Sequence, residues 1–180
     1  MIQKIITVPN PLLRQKSKKV GKLDKKIKKI IDDLIETVKR ASEPSGLGLS
    51  AVQIGQPFRI FVAKTKKDFE VFINPQTVKV SKETLKKVLQ KEQQFFEGCL
   101  SVPQIYGFVD RPYQIKLEWQ DETGKKHVRD FKNRFSVCVQ HELDHLEGIL
   151  FIDRILQQKE KVYELKKDSK GKEVFEEVEL

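Results

Sequence analysis

The clearest hydrophobic pattern in the chain lies between residues 24 and 41, where apolar side chains recur three and four positions apart. Such a spacing places one apolar stripe along a helix. Asp24 is the expected N-cap, because its carboxylate can accept from the free backbone N–H groups of the first turn. Pro44 restricts the geometry of the residue before it, so we expect the helix to end near Ser42. The stripe consists of Ile27, Ile30, Ile31, Leu34, Ile35 and Val38.

Shorter runs rich in β-branched and aromatic residues predict strands at 58–63 and 71–73. Two further runs flank Glu122-Thr123-Gly124 and predict a hairpin, and residues 134–147 again have helical spacing. The tail has two strand-like runs around a turn at 168–171, which predicts a terminal hairpin. The runs of the two hairpins are 115–121 with 125–131 and 162–166 with 173–180.

The domain organisation follows from these patterns. Residues 82–94 are mostly charged, with Leu85, Val88 and Leu89 at helical spacing, which predicts an exposed insertion, helical or mobile. A length of 180 residues without linker or repeat suits a single domain, 1–180, with that insertion and a β-hairpin tail at 160–180. Local hairpins set apart from the helices favour an α+β fold.

Composition and charge narrow the class of protein. Hydrophobic residues make up 38% and charged residues 34%, as in globular proteins. No apolar run approaches the roughly 20 residues that span a bilayer, and the start shows no signal peptide, so we expect a cytoplasmic protein without a membrane partner.

The formal net charge of +9 comes largely from lysine runs at 14–29 and 82–91. These runs favour either a solvated surface or weak contact with the ribosome near its exit tunnel. They contain no aromatic-interleaved basic motif, so sequence-specific nucleic-acid binding is not expected.

The candidate chemistry lies on the predicted helix 134–147. His141 and His145 are four residues apart and therefore share one face, where two neutral imidazoles can hold a divalent metal ion. Glu142 is adjacent and can take a proton from a water molecule without ligating the ion. This pattern predicts a metal-dependent hydrolase, and the alternative is a pair of surface histidines.

A catalytic zinc-type site has three protein ligands, and the two cysteines compete for the third position. Cys138 lies on the same helix face, three residues before His141, where it can also be a small packed residue. Cys99 follows Gly98, whose lack of a side chain permits close approach of the backbone. If both cysteines ligate, the site is closed by four ligands and is structural.

Three segments of the chain resemble, in order, the motifs of the peptide deformylase family. The resemblance covers most of residues 4–155. It implies an α+β fold with antiparallel sheets packed around a central metal-binding helix. It also implies hydrolytic removal of the formyl group from the N-terminal methionine of nascent polypeptides, with release of formate. The segments are Gly46-Leu47-Gly48-Leu49-Ser50-Ala51-Val52-Gln53, Glu97-Gly98-Cys99-Leu100-Ser101 and Gln140-His141-Glu142-Leu143-Asp144-His145-Leu146.

The resemblance implies that Cys99, His141 and His145 ligate one divalent metal ion, and that Glu142 is the general base and acid. It implies ferrous iron (Fe2+) as the ion in vivo, with Zn2+, Ni2+ or Co2+ as substitutes. The ligand types alone would favour zinc.

The family's substrate-binding positions map onto further residues. Gln53 and the backbone N–H of Leu100 would hold the formyl oxygen as negative charge develops on it, because donors of this kind are directed at the transition state. The N-formyl-methionyl peptide would be bound by Leu47, Gly48, Leu49, Gly98, Tyr106, Val137 and Cys138.

The sequence departs from the commonest family pattern in three places. Ser50 stands where alanine is usual, the stretch 75–97 is longer than in compact bacterial members, and the tail predicts a hairpin where many members have a helix. These departures leave the subclass and the mode of ribosome binding open.

Two other functions compete with deformylation. The enzymatic alternative is a small metallopeptidase, and a Cys99 ligand argues against it. The other alternative is a non-catalytic ribosome-associated module, and Glu142 argues against that.

Overall fold

The computed structural model of the chain describes residues 1–41, 46–90 and 95–179. Its helices are α1 (Lys25–Arg40), α2 (Leu85–Val88), α3 (Asn133–Leu146) and α4 (Phe151–Gln158), and 3-10 turns lie at Pro11–Arg14 and Ala51–Ile54. Its strands are β1 (Gly48–Ser50), β2 (Ile60–Lys64), β3 (Phe69–Val80), β4 (Glu97–Cys99), β5 (Val102–Gly107), β6 (Gln114–Gln120), β7 (Lys126–Lys132), β8 (Val162–Lys167) and β9 (Glu173–Val178).

The strands form two antiparallel sheets, and the predicted α+β class is confirmed. The first sheet has the order β1-β2-β3-β6-β7 and the second β4-β5-β8-β9. Helix α3 packs on strands of the first sheet and reaches β4 of the second through its histidines. Its face therefore lies where the two sheets meet. Within the described residues, no helix is long and apolar enough to cross a membrane.

Helix α1 forms as its apolar stripe predicts. The Asp24 carboxylate accepts from the backbone N–H of Ile27 at 3.0 Å, which satisfies one free donor of the first turn. The helix ends at Arg40, and the residues at its predicted end, 42–45, lie outside the described part of the chain. The stripe packs into one core cluster with Leu49, Ile60 and Val62, which joins α1 to β1 and β2.

Strand β3 is much longer than the predicted strand at 71–73. It continues through Asn74 and Pro75, where the register with β6 shifts. A bulge tolerates proline, which lacks a ladder donor. The Asn74 side chain accepts from the backbone N–H of Val20 and donates to its carbonyl, both at 2.8 Å, which holds the irregular segment in place.

The segment predicted as an exposed insertion is partly built into the core. Leu85 is 1% exposed and packs with Phe108 and Val137. The backbone N–H of Lys86 donates to the Asp110 carboxylate at 2.8 Å. The expectation of an exposed excursion is therefore wrong for Leu85, while residues 91–94 lie outside the described part of the chain.

This packing predicts that Leu85→Ala destabilises the protein by about 2–5 kcal/mol, because it removes a fully buried side chain and leaves a cavity. Urea unfolding followed by circular dichroism measures the change. The matched control is Lys87→Ala, an exposed position of the same helical turn, which is expected to change stability by less than about 0.5 kcal/mol. An equally small effect at Leu85 would show that the insertion does not contribute to the core.

Candidate functional site

A cavity of about 270 Å³ opens between strands β1 and β4 above helix α3. Each of these strands is the edge strand of its own sheet. The cavity is therefore bordered by two strands that, among the described residues, have no strand partner on the side of the cavity. It is lined by Gly46, Leu47, Gly48, Gln53, Phe95, Phe96, Glu97, Gly98, Cys99, Leu100, Tyr106, Arg134, Val137, Cys138, His141 and Glu142.

Three potential metal ligands converge at the inner end of the cavity. Ligand atoms of Cys99, His141 and His145 all lie within 4.8 Å of one another, and the Cys99 Sγ is 3.2 Å from His145 Nε2. Helix α3 places the two imidazoles one turn apart, with ring centroids separated by 5.0 Å. Strand β4 brings the thiol to them from the second sheet.

The electrostatics of these residues fit a bound cation. Burial, followed by the charges of His141 and Arg111, holds the pKa of His145 well below its ordinary value, so its imidazole is neutral, as a ligand must be. Burial also lowers the pKa of His141, but contacts with Cys99 and Glu97 raise it well above its ordinary value. Positive charge is thus favoured beside Cys99 and Glu97, and one soft sulfur atom and two imidazoles form a donor set for a first-row transition metal.

Cys138 does not belong to this group of ligands in the described part of the chain. Its thiol lies on the cavity wall and donates to the carbonyl of Leu47 at 3.4 Å. Burial, with the nearby Glu142 carboxylate, raises the pKa of the Cys138 thiol well above its ordinary value. Its contact with the Leu47 carbonyl, apart from the group formed by Cys99, His141 and His145, argues against a site closed by four ligands.

A buried network of ion pairs contacts the Nδ1 atom of His141. Glu97 Oε2 accepts from His141 Nδ1 at 2.9 Å, and the same carboxylate binds the Arg111 guanidinium through two bonds of 2.6 and 2.9 Å. Arg111 also donates to Asp144 at 2.8 Å, and Asp144 accepts from Arg154 at 2.6 Å. In the sequence, Asp144 and Glu97 are recognisable only as members of the motifs, without an assigned role.

The charge state of Glu97 suits this position. Burial alone would raise the pKa of Glu97, but the Arg111 guanidinium and the hydrogen bond from His141 lower it to about 2. The carboxylate is therefore ionised and, because it contacts Nδ1, leaves Nε2 of His141 for the ligand group. Carboxylates in this position orient ligating histidines and raise their basicity.

Glu142 lies at the other side of the site, 3% exposed. The Ser50 hydroxyl donates to its Oε2 at 2.6 Å. Burial raises the pKa of Glu142 to about 6, against the smaller lowering effects of His141 and Ser50. A Cβ on Gly48 would lie 2.6 Å from Oε1 of this carboxylate, so only glycine leaves Glu142 in place. Ser50 thus contacts the candidate base directly.

Gln53 has a fixed orientation. Its Oε1 accepts from the backbone N–H of Ser50 at 2.8 Å, so its amide NH2 points to the other side, 3.0 Å from Ser101 Oγ and 3.7 Å from Cys99 Sγ. An amide held by its oxygen presents its donor to the cavity. Leu100, partly buried, follows Cys99 on the cavity wall.

Most of the residues predicted to bind substrate line the cavity, namely Leu47, Gly48, Gly98, Tyr106, Val137 and Cys138. Leu49 is not among them: its side chain is fully buried in the core cluster with α1. The expectation that it lines the pocket is not met, because alternate residues of β1 face opposite sides of the sheet. Gly98 lies against the Tyr106 ring, where a Cβ would come within 2.5 Å.

Three lining residues, Phe95, Phe96 and Arg134, belong neither to the predicted site residues nor to the three motifs. Phe95 and Phe96 border the cavity, and the Arg134 guanidinium lies 4.7 Å from the centre of the Phe95 ring. Phe95 and Phe96 follow the charged insertion and show no periodicity that distinguishes them from core residues. Their proximity to the site depends on the pairing of β4 with β5, which the sequence pattern does not predict.

Comparisons with known proteins agree on one family. A family model described as polypeptide deformylase matches residues 2–161. A peptide deformylase of Phenylobacterium zucineum is 38% identical over 94% of this chain and 98% of its own length. One of Rhizobium meliloti is 40% identical over 88% and 87%. The crystal structure of a Thermotoga maritima peptide deformylase has a TM-score of 0.75 and 33% identity, covering 86% of this chain and 97% of that one.

The network behind His141 predicts that Glu97→Gln lowers the affinity of the three-ligand group for added Co2+ by about 10–100-fold, because His141 loses its anionic partner. Titration followed by the absorption of the thiolate-bound cobalt ion measures the affinity. The matched control is Glu147→Gln, whose carboxylate pairs with Lys16 and Arg59 and does not contact either histidine. Unchanged affinity in the Glu97 variant would contradict the role given to this carboxylate.

Proposed function

The chain belongs to the polypeptide deformylase family, and we propose that Cys99, His141 and His145 hold the single divalent metal ion on which its activity depends. The function of the chain is hydrolytic removal of the N-formyl group from nascent polypeptides. One observation supports the assignment of these residues most directly. Cys99, His141, a buried carboxylate and an oriented amide line one cavity, which is open between two strand edges, and the buried His145 completes the ligand group beside Cys99.

We propose ferrous iron as the ion in vivo, on the strength of the resemblance to the family. A thiolate and two imidazoles also suit Zn2+, Ni2+ and Co2+, which would serve as substitutes. When bound, the ion supplies a Lewis acid that polarises the formyl carbonyl and favours ionisation of water. Metal analysis of anaerobically purified protein identifies the ion, and iron-free protein with full activity would contradict this choice.

The peptide backbone is expected to lie between the two edge strands. In the described residues, β1 pairs only with β2 and β4 only with β5, so one side of each strand has no strand partner, although the Ser50 N–H of β1 is bound by Gln53. An extended peptide can add to such an edge. Leu47, Val137 and Tyr106 would then surround the methionine side chain, which places the formyl group over the three ligands.

Glu142 transfers the protons of the reaction. Its carboxylate is beside the ligand group without belonging to it, and the Ser50 hydroxyl fixes one of its oxygens. It accepts a proton from the attacking water and delivers it to the amine of the leaving methionine. The products are formate and a peptide with a free amino terminus.

Gln53 and Leu100 stabilise the negative charge that develops on the formyl oxygen. The Gln53 NH2 group is held in place before the substrate arrives, because its own oxygen is bonded to Ser50. The backbone N–H of Leu100 is the second donor of the proposal. Donors that need no reorganisation lower the barrier most, and removal of one typically costs about 10²–10³ in turnover.

A set of three variants separates metal binding from catalysis. Cys99→Ala is expected to lose metal and activity together, because only the two imidazoles then remain as ligands and a catalytic site needs three. Glu142→Gln is expected to retain metal and lose at least about 10²-fold in kcat, the ordinary contribution of a general base. Formate release from formyl-Met-Ala-Ser and metal content of the same sample are the two measurements.

The matched control is Cys138→Ala, which removes the other thiol of the chain and is expected to retain the metal and most of the turnover. Equal metal loss from both cysteine variants would support a closed structural site and count against this proposal. Near wild-type turnover of Glu142→Gln would show that another group moves the proton.

We also propose that the whole chain acts as one catalytic domain in the cytoplasm, with the ribosome as a partner. Both sheets contribute to the one cavity, which supports a single unit. The segment from Lys16 to Lys29 carries eight lysines and one acid, Asp24, and each of these lysines is exposed. A basic surface of this kind favours contact with ribosomal RNA.

Charge reversal of Lys18, Lys19 and Lys22 to glutamate is expected to weaken co-sedimentation with ribosomes at low salt, while formyl-Met-Ala-Ser turnover persists. The matched control reverses Lys167, Lys170 and Lys172, which are exposed on the tail hairpin and give the same change of net charge. Equal loss of binding in both variants would indicate a nonspecific charge effect and would contradict a docking surface at Lys16–Lys29.

A further inference from the structure

We propose that Phe96 and Phe175 form a second substrate subsite, which binds an aromatic or large apolar side chain at the third residue of the formylated peptide. The inference rests on the proposed function, since it extends the same cavity along the same substrate. It assigns a role in specificity to the tail hairpin β8–β9.

The aromatic rings form a continuous surface from the cavity to the hairpin. Phe96 stacks on Tyr163 with ring centroids 4.8 Å apart. Phe175 contacts two rings edge-on, Phe96 at 5.5 Å and Tyr106 at 5.3 Å. Because Phe96 and Tyr106 line the cavity, Phe175 continues its wall beyond the pocket for methionine.

The aromatic surface formed by Phe96 and Phe175 is exposed to solvent, although the hairpin β8–β9 beside it is otherwise charged. Phe96 is 41% and Phe175 50% exposed. The hairpin is otherwise strongly charged, with ion pairs such as Lys161–Glu177 and Lys166–Glu176 on its surface. A contiguous exposed apolar surface in such surroundings is typical of a binding site.

The strand register accounts for the direction of Phe175. Its backbone pairs with Leu165, two residues beyond Tyr163, and Tyr163 pairs with Tyr106. All these positions therefore share the face of the second sheet that borders the cavity. Val174, the preceding residue of β9, lies on the opposite face and is 39% exposed.

The spacing of side chains in an extended peptide indicates that the third residue of the substrate reaches Phe96 and Phe175. In an extended peptide, alternate side chains share one face and are about 7 Å apart. The methionine and the third residue thus lie on the same side. The distances of 5.3 Å from Tyr106 to Phe175 and 5.5 Å from Phe175 to Phe96 bring a ring within reach of that third side chain.

The test compares formyl-Met-Ala-Phe with formyl-Met-Ala-Ser. We expect the wild-type protein to have about three- to tenfold higher kcat/KM for the phenylalanine peptide, through a lower KM, as expected for one added aromatic contact. In Phe175→Ala the two peptides should differ by less than about twofold. The matched control Val174→Ala and the conservative variant Phe175→Tyr should retain the wild-type ratio.

Since Phe175→Ala can loosen the hairpin, Phe175→Leu is measured beside it and should give an intermediate ratio while it keeps apolar packing on Tyr106. Equal kcat/KM for both peptides in the wild-type protein would overturn the subsite, and so would a preference that survives loss of the ring. Absence of any turnover of formyl-Met-Ala-Ser would instead count against the proposed function.

The other candidate occupant of this surface is a second copy of the chain. Sedimentation velocity at the assay concentration distinguishes it from substrate. A wild-type dimer that Phe175→Ala converts into a monomer, with the ratio between the peptides unchanged, would overturn the proposal.

Discussion

Glu97 and Arg111 form a buried ion pair with two hydrogen bonds, and this pair connects the second sheet to the central helix. Glu97 belongs to β4, two residues before Cys99, while the partners of the pair, His141 and Asp144, belong to α3. The positions of the thiol and the imidazole therefore depend on one network. Burial of these charges costs free energy, which is offset only because each of them has more than one partner.

The parts of the fold that follow from local pattern could be predicted from the sequence. Each of these parts is encoded within one short segment of the chain. They are the stripe of α1, the turn at 122–124 and the helix that carries His141 and His145. The three-ligand group also follows, once Cys99 is preferred to Cys138 through the family resemblance. Its geometry is consistent with that choice, since the thiols occupy different places: one faces His145 and the other faces the carbonyl of Leu47.

What the sequence does not predict depends on pairing between distant segments. Strands β1 and β4 have three residues each, too few to show a period, and Leu49 faces the core because of its register with β2. The role of Asp144 requires Arg111 and Arg154, which are 33 and 10 positions away. Leu85 was assigned to an exposed insertion because the residues around it are charged, and only its contacts with Phe108 and Val137 show that it is buried.

The two facing strand edges have a consequence for the timing of the reaction. Recognition through main-chain hydrogen bonds requires several consecutive residues in an extended, unpaired state. A polypeptide loses that state when its first residues join a helix or a sheet of its own. In the proposed binding mode, the enzyme therefore competes with the folding of its substrate, and the time for which a new chain remains unfolded limits how completely it is processed.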